Sequence, residues 1–127
     1  MNKENTKIAQ PIKAFDADKL HIKVYETRAD MGKAAAVEAI AHMRALLARQ
    51  AHPSIVFAAA PSQSEFLAAL CKAEGIDWGR AYAFHMDEYI ALPASAPQGF
   101  GNFRRRAIFD RVPFARVEYL DGNARDI

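Results

Sequence analysis

Two short apolar runs, SIVFAAA at 54–60 and RAYAFHM at 80–86, are separated by a stretch with helical spacing, and this alternation constrains the chain more than any other feature of its sequence. Strands joined through a helical crossover pair in parallel, and such crossovers are right-handed. SIVFAAA is β-branched and small without alternation, which predicts a central parallel strand covered on both faces. LHIKVYE, at 20–26, sets Leu20, Ile22 and Val24 against His21, Lys23 and Tyr25, the period of a half-buried first strand. RVEYL, at 116–120, reads as a fourth strand.

Helical punctuation lies between these runs. Thr27 followed by Asp30 forms an N-cap pattern, and Val37, Ile40, Met43 and Leu47 recur at helical spacing up to Gln50, with Pro53 as a stop. Ser62 and Glu65 make an S-x-x-E capping box ahead of Phe66, Leu67, Leu70 and Cys71, and Gly75 suits a left-handed terminator. NFRRRAIFDRV, at 102–112, is a third helix with Phe103, Ala107 and Ile108 on one side. The expected fold is α/β, an open three-layer parallel sheet of Rossmann-like βαβαβαβ order with helices on both faces. Residues 1–19 carry scattered charge without a period and read as a mobile lead-in to a domain over 20–127.

Composition narrows the function classes. With 51% hydrophobic and 25% charged residues the chain is a soluble globular type, and a net charge of +2 gives no argument for a nucleic-acid or membrane partner. The lone Cys71 excludes an intrachain disulfide and reads as packing. No apolar stretch approaches the ~20 residues of a membrane span, and the polar start has no signal-like core, so the cytoplasm is the expected location. His21, His42, His52 and His85 stand apart without metal-ligand spacing, so no metal is expected.

Chemistry in an open parallel sheet sits beyond the carboxyl ends of its strands. Two loops end strands that way. AAPSQSE, at 59–65, offers the hydroxyls of Ser62 and Ser64 and the amides of a helix start to an anion such as a phosphate; capping alone also accounts for them. The second loop follows the third strand and opens on Asp87 and Glu88. Adjacent residues at a strand end point in different directions, so one carboxylate is expected at the crevice and the other in the scaffold. The crevice carboxylate suits a general base, while a carboxylate that caps the loop or pairs with Arg104 or Arg105 is the alternative. The Arg104–Arg106 run reads as a solvated helix face, and PASAPQGFG, at 93–101, as a loop bordering the site.

These residues carry a resemblance. FHMDEYIALPASAPQGFGNFRRRAIFDRV followed by YLDGNA resembles the glucosamine-6-phosphate isomerase/deaminase family, with the likeness densest over 84–124. The resemblance implies aldose–ketose isomerisation of a hexosamine phosphate with loss of ammonia, no cofactor, and a small sugar phosphate as partner. It implies Asp87 as the base moving a proton between C2 and C1, Glu88 and Tyr89 as the wall of the site, and Ser62, Gln63 and Ser64 as the phosphate turn. Two departures stand out: AAAPSQSEF replaces the family's Gly- and Thr-rich phosphate loop, as in a divergent APSQ-type branch, and Ala91-Leu92-Pro93 replaces Gly-Leu-Pro.

The family's ring-opening histidine and its remaining phosphate-binding bases lie beyond the LDGNA segment, and no Lys follows Lys72. The chain therefore reads as the amino-terminal portion of a deaminase-type fold, from which no ammonia release is expected on its own, with an uncovered sheet edge; homo-oligomerisation stays open. The rival readings are a 6-phosphogluconolactonase-like hydrolase, which favours DER over the DEY found here, a phosphoacceptor domain, which needs a late lysine, and a non-catalytic sugar-phosphate-binding protein.

Overall fold

The computed structural model describes residues 8–58 and 60–125. Strands and helices alternate along the chain, and the main departure from expectation lies at its start. β1 (Lys13–Ala17) and β2 (Leu20–Val24) form an antiparallel hairpin, with Lys13 opposite Val24 and Ala17 opposite Leu20. The strand expected at 20–26 thus exists, but it pairs backwards onto Lys13–Ala17 rather than joining the parallel sheet. The lead-in is corrected too: its last third is a strand, while residues 1–7 lie outside the described residues. Asp18 explains the local pairing. It takes a φ of 54° in the two-residue turn, a conformation that Asp tolerates better than most side chains, and the strands close on each other before any distant partner is needed.

The second sheet is parallel, in the order β3 (Ser54–Phe57), β4 (Tyr82–His85), β5 (Arg116–Glu118). Its connections are α2 (Ser64–Cys71) and α3 (Phe100–Arg104), the latter running into a π-helical turn over Arg105–Phe109 that Asp110 N closes on Arg105 O at 3.0 Å. Ile55, Phe57, Ala83, Val117 and Tyr119 alternate onto one face and meet Leu67, Leu70, Ile108 and Phe109 from the helices. Phe57, Phe109, Phe114 and Trp78 lock this core through edge-to-face contacts. On the opposite face Val56 is 62% exposed. β4 is therefore the central strand and β3 an edge, which corrects the expectation for 54–60, and the described residues supply no helical layer over Val56.

α1 (Arg28–Leu47) begins as read. The Thr27 hydroxyl accepts from Asp30 N at 3.1 Å and donates to Asp30 Oδ2 at 2.7 Å; Ala36 and Met43 bury in the core, and Leu47 is buried at the helix end. The Ser62–Glu65 capping box does not form. Pro61 starts a 3-10 turn over Pro61–Gln63, which draws Ser62 inside the turn, and Glu65 Oε2 instead accepts from Arg28 Nη2 at 3.0 Å. The backbone amide of Glu65 itself, and after it that arginine, hold the carboxyl below the ordinary range. Gly75 takes the left-handed conformation, with a φ of 72°.

Candidate active site at the carboxyl end of the central strand

β4 delivers the site. Its last ladder bond runs from Met86 N to Phe57 O at 3.2 Å, and the next residues are Asp87 and Glu88. The two carboxylates part as strand geometry requires. Glu88 turns to the scaffold: Oε1 accepts from Tyr89 N at 3.0 Å and Phe100 N at 2.9 Å, and Oε2 accepts from Gly101 N at 2.8 Å. It thereby serves as the anionic cap of α3 from outside the helix. Burial on its own would raise its pKa, but the amides of Gly101, Tyr89 and Phe100 outweigh that and hold the carboxyl below its ordinary value.

Asp87 faces the other way, with its side chain 50% exposed while Oδ1 accepts from Arg104 Nη2 at 2.9 Å. Arg104 is wholly buried. The third member of the group is His85, also buried, on the core face of β4. Leu120 N donates to its Nε2 at 2.9 Å, so the neutral ring carries its proton on Nδ1, which donates to the Asp87 carbonyl at 2.9 Å. Arg104 Nη1 lies 3.0 Å from the same Nδ1. Burial, reinforced by that guanidinium, keeps the imidazole below its usual value of 6.5.

Beside this cluster a cleft of about 110 Å³ opens between the 88–94 loop, the start of α3 and residues 119–123. Tyr89 lines it and stacks on Phe100 with ring centroids 4.5 Å apart, and Arg105 lies over the Tyr119 ring at 4.2 Å. Burial raises the Tyr119 hydroxyl above its ordinary pKa, so the ring meets the guanidinium as a neutral phenol. Glu88 and Tyr89 share this cleft; Asp87, one residue before Glu88, does not line it, and neither do Ser62, Gln63 and Ser64. Ser62 and Ser64 are exposed, and Ser64 borders a separate hollow with Phe103, Arg106 and Arg111. Among the described residues no group of three or more His, Cys, Asp or Glu is placed to hold a metal ion, and no helix is long and apolar enough to cross a membrane.

Two features escaped the sequence reading. The Asp87–Arg104 pair is the alternative that the sequence offered, but the burial of Arg104 was missed: it belongs to a run read as a solvated face, yet it falls at the spacing of the buried Gly101 and Ile108, and that period was the available signal. Ala91 stands where the resembling motif has Gly and keeps a glycine-like φ of 61°. Ala91→Gly is expected to stabilise the fold by about 0.5–1 kcal/mol, the relief of left-handed strain exceeding the entropy gained by the unfolded chain. A shift of the urea midpoint to higher concentration checks this, and a shift to lower concentration refutes it.

No protein-family model matches the chain. A glucosamine-6-phosphate deaminase of Yersinia pestis is 35% identical over 65 residues, spanning 50% of this chain and 24% of that protein. One from Cronobacter sakazakii is 40% identical over 58 residues, 44% of this chain and 22% of the relative. In three dimensions the chain matches a monomeric glucosamine-6-phosphate deaminase with a TM-score of 0.68 at 16% identity, covering 79% of this chain and 42% of the other. A 6-phosphogluconolactonase from Shewanella baltica gives 0.68 at 15% identity, over 76% and 41%. The chain thus spans under half of the proteins it matches, and the mixed α/β fold with a parallel sheet is theirs. Over the part that aligns, the chain is related to the glucosamine-6-phosphate isomerase/deaminase family.

Proposed function

We propose that the chain carries the proton-transfer part of a hexosamine-phosphate isomerase/deaminase site, with Asp87 as the general base. One observation carries this reading: at the carboxyl end of the central parallel strand, where ligands of such sheets bind, one carboxylate of an adjacent pair is consumed by backbone amides and the other is half exposed and held by a buried cation. In the reaction the family catalyses, Asp87 takes the proton from C2 of the open-chain sugar as the C1 oxygen gains one from solvent, giving a 1-hydroxy-2-amino enol; it returns the proton at C1 to leave an iminium at C2, and water adds there as the C2–N bond breaks, releasing ammonia and the ketose. Tyr89 walls the site, and the exposed hydroxyls of Ser62 and Ser64 at the neighbouring strand end receive the phosphate. The substrate is a small sugar phosphate, and no cofactor is needed for this proton transfer.

The test separates binding from chemistry. Glucosamine 6-phosphate is expected to raise the melting temperature of the chain. The chain is also expected to exchange substrate C–H for solvent deuterium, and Asp87→Asn to lower that rate by about 100-fold or more with the melting shift retained. A flat melting response across hexosamine and hexose phosphates overturns the reading. Hydrolysis of 6-phosphogluconolactone without C–H exchange replaces it with the lactonase chemistry of the structural neighbours.

A further inference from the structure

Arg104 is an expensive residue for this position. It is 0% exposed, and its Nε has no hydrogen-bond partner among the described residues. Its other nitrogens meet Asp87 Oδ1 at 2.9 Å and approach His85 Nδ1 at 3.0 Å. Gly101 and Ile108, buried on the same helical face, show that an apolar side chain would suit the environment. Removing a guanidinium from water for a single half-exposed carboxylate recovers little, and buried ion pairs are often replaced by apolar residues of like volume without loss of stability. Packing therefore gives no reason for an arginine here.

We propose that Arg104 is a positioning residue, whose buried guanidinium fixes the Asp87 carboxylate at the strand end through Oδ1 and so presents Oδ2 in one orientation to a substrate. The geometry supports this in two ways. The arginine comes from inside the fold, so its own side chain is immobilised by packing and transmits that rigidity to a half-exposed partner. The carbonyl of the same Asp87 is held independently by His85 Nδ1–H, whose ring is in turn fixed by Leu120 N, so the backbone and the carboxylate of one residue are each tied to a buried group. Oδ2 has no partner among the described residues. A base must lie within hydrogen-bond reach of the carbon it deprotonates, and a carboxylate free to swing spends part of its time out of line. This inference rests on Asp87 being the base, but the orientation itself can be read without turnover.

The experiment compares wild type, Arg104→Met and Arg104→Lys. Hα–Hβ couplings of Asp87 by NMR are expected to report one side-chain rotamer in the wild type and averaging among rotamers in Arg104→Met, with a melting temperature no lower than wild type. Arg104→Lys is expected to restore part of the order, since an ammonium keeps the charge without the fork. In the deuterium-exchange assay Arg104→Met lowers kcat by about 100-fold and leaves KM within about twofold. A single Asp87 rotamer in Arg104→Met, or an unfolded Arg104→Met together with a destabilised Arg104→Lys, overturns the proposal and makes Arg104 a structural residue. Rotamer averaging in a chain whose wild type shows no exchange supports the positioning role and counts against the function proposed for Asp87.

Discussion

Glu88→Gln is expected to destabilise the fold by about 3 kcal/mol, lowering the melting temperature by about 10 °C. The carboxylate holds three backbone amides, those of Tyr89, Phe100 and Gly101, between 2.8 and 3.0 Å. An amide in its place keeps one acceptor oxygen and turns an NH2 group toward a donor that then has no partner. The bonds to Phe100 and Gly101 are the costly ones, because both are shielded from water; the bond to Tyr89 is exposed and contributes little.

The loss has a pH signature with a definite sign. A carboxyl whose folded pKa is depressed contributes stability that is complete above its unfolded value, here 4.5, and is lost as pH falls through the folded value. His85 acts in the same direction but earlier. Its folded pKa lies below 6.5, so the unfolded chain binds the proton first and stability begins to fall as pH drops below that point. Wild type should therefore lose stability in two stages on acidification. Glu88→Gln should keep the first stage and shrink the second to the part that Glu65 contributes, as urea midpoints across the acid range would show. An unchanged acid profile would mean that Glu88 is not the cap of α3.

The architecture was legible where local chemistry and tertiary packing agree. The Thr27 cap, the strand at 82–85, the crossover helices and the left-handed Gly75 each follow from a few neighbouring residues, and nothing distant competes with them. Legibility failed where a distant or polar partner decided the outcome. The alternation of Leu20, Ile22 and Val24 announces a strand but not its partner, and the short Asp18 turn won over a longer connection to β3. The capping box lost to Pro61 and to Arg28, a residue far away in sequence.

The site was legible to a different degree. That Asp87 and Glu88 would diverge follows from strand geometry, but which of them serves α3 depends on where Phe100 and Gly101 place their amides, and the Pro- and Gly-rich loop between hides that. Arg104 was hidden by its residue type. Its helical phase marked it as buried, but charge argued for the surface, and only a carboxylate at the end of another element reconciles the two.

The segment after β5 should prove the most sensitive backbone in the site. Gly122→Ala is expected to cost about 3 kcal/mol or more, a fall of about 10 °C or more in melting temperature. A Cβ at Gly122 would penetrate the Tyr89 carbonyl oxygen and lie 2.9 Å from the Tyr89 carbonyl carbon and 3.5 Å from Ile90 Cα. All three are backbone atoms, so no side-chain rotation makes room. The 89–92 loop would have to leave residues 122 and 123, breaking the bond from Ala91 N to Gly122 O at 2.9 Å and that from Asn123 Nδ2 to Leu92 O at 2.8 Å. Because that loop begins one residue after Glu88, its release also loosens the wall formed by Tyr89 and opens the cleft lined by both segments. Limited proteolysis should then cut Gly122→Ala between 89 and 99 at concentrations that leave the wild type intact. Asn123→Ala, which removes only the bond to Leu92, should lose about 1 kcal/mol and stay resistant. Equal stability of Gly122→Ala and wild type would show that the two segments do not seat on each other as described, and the cleft between them would have no fixed wall.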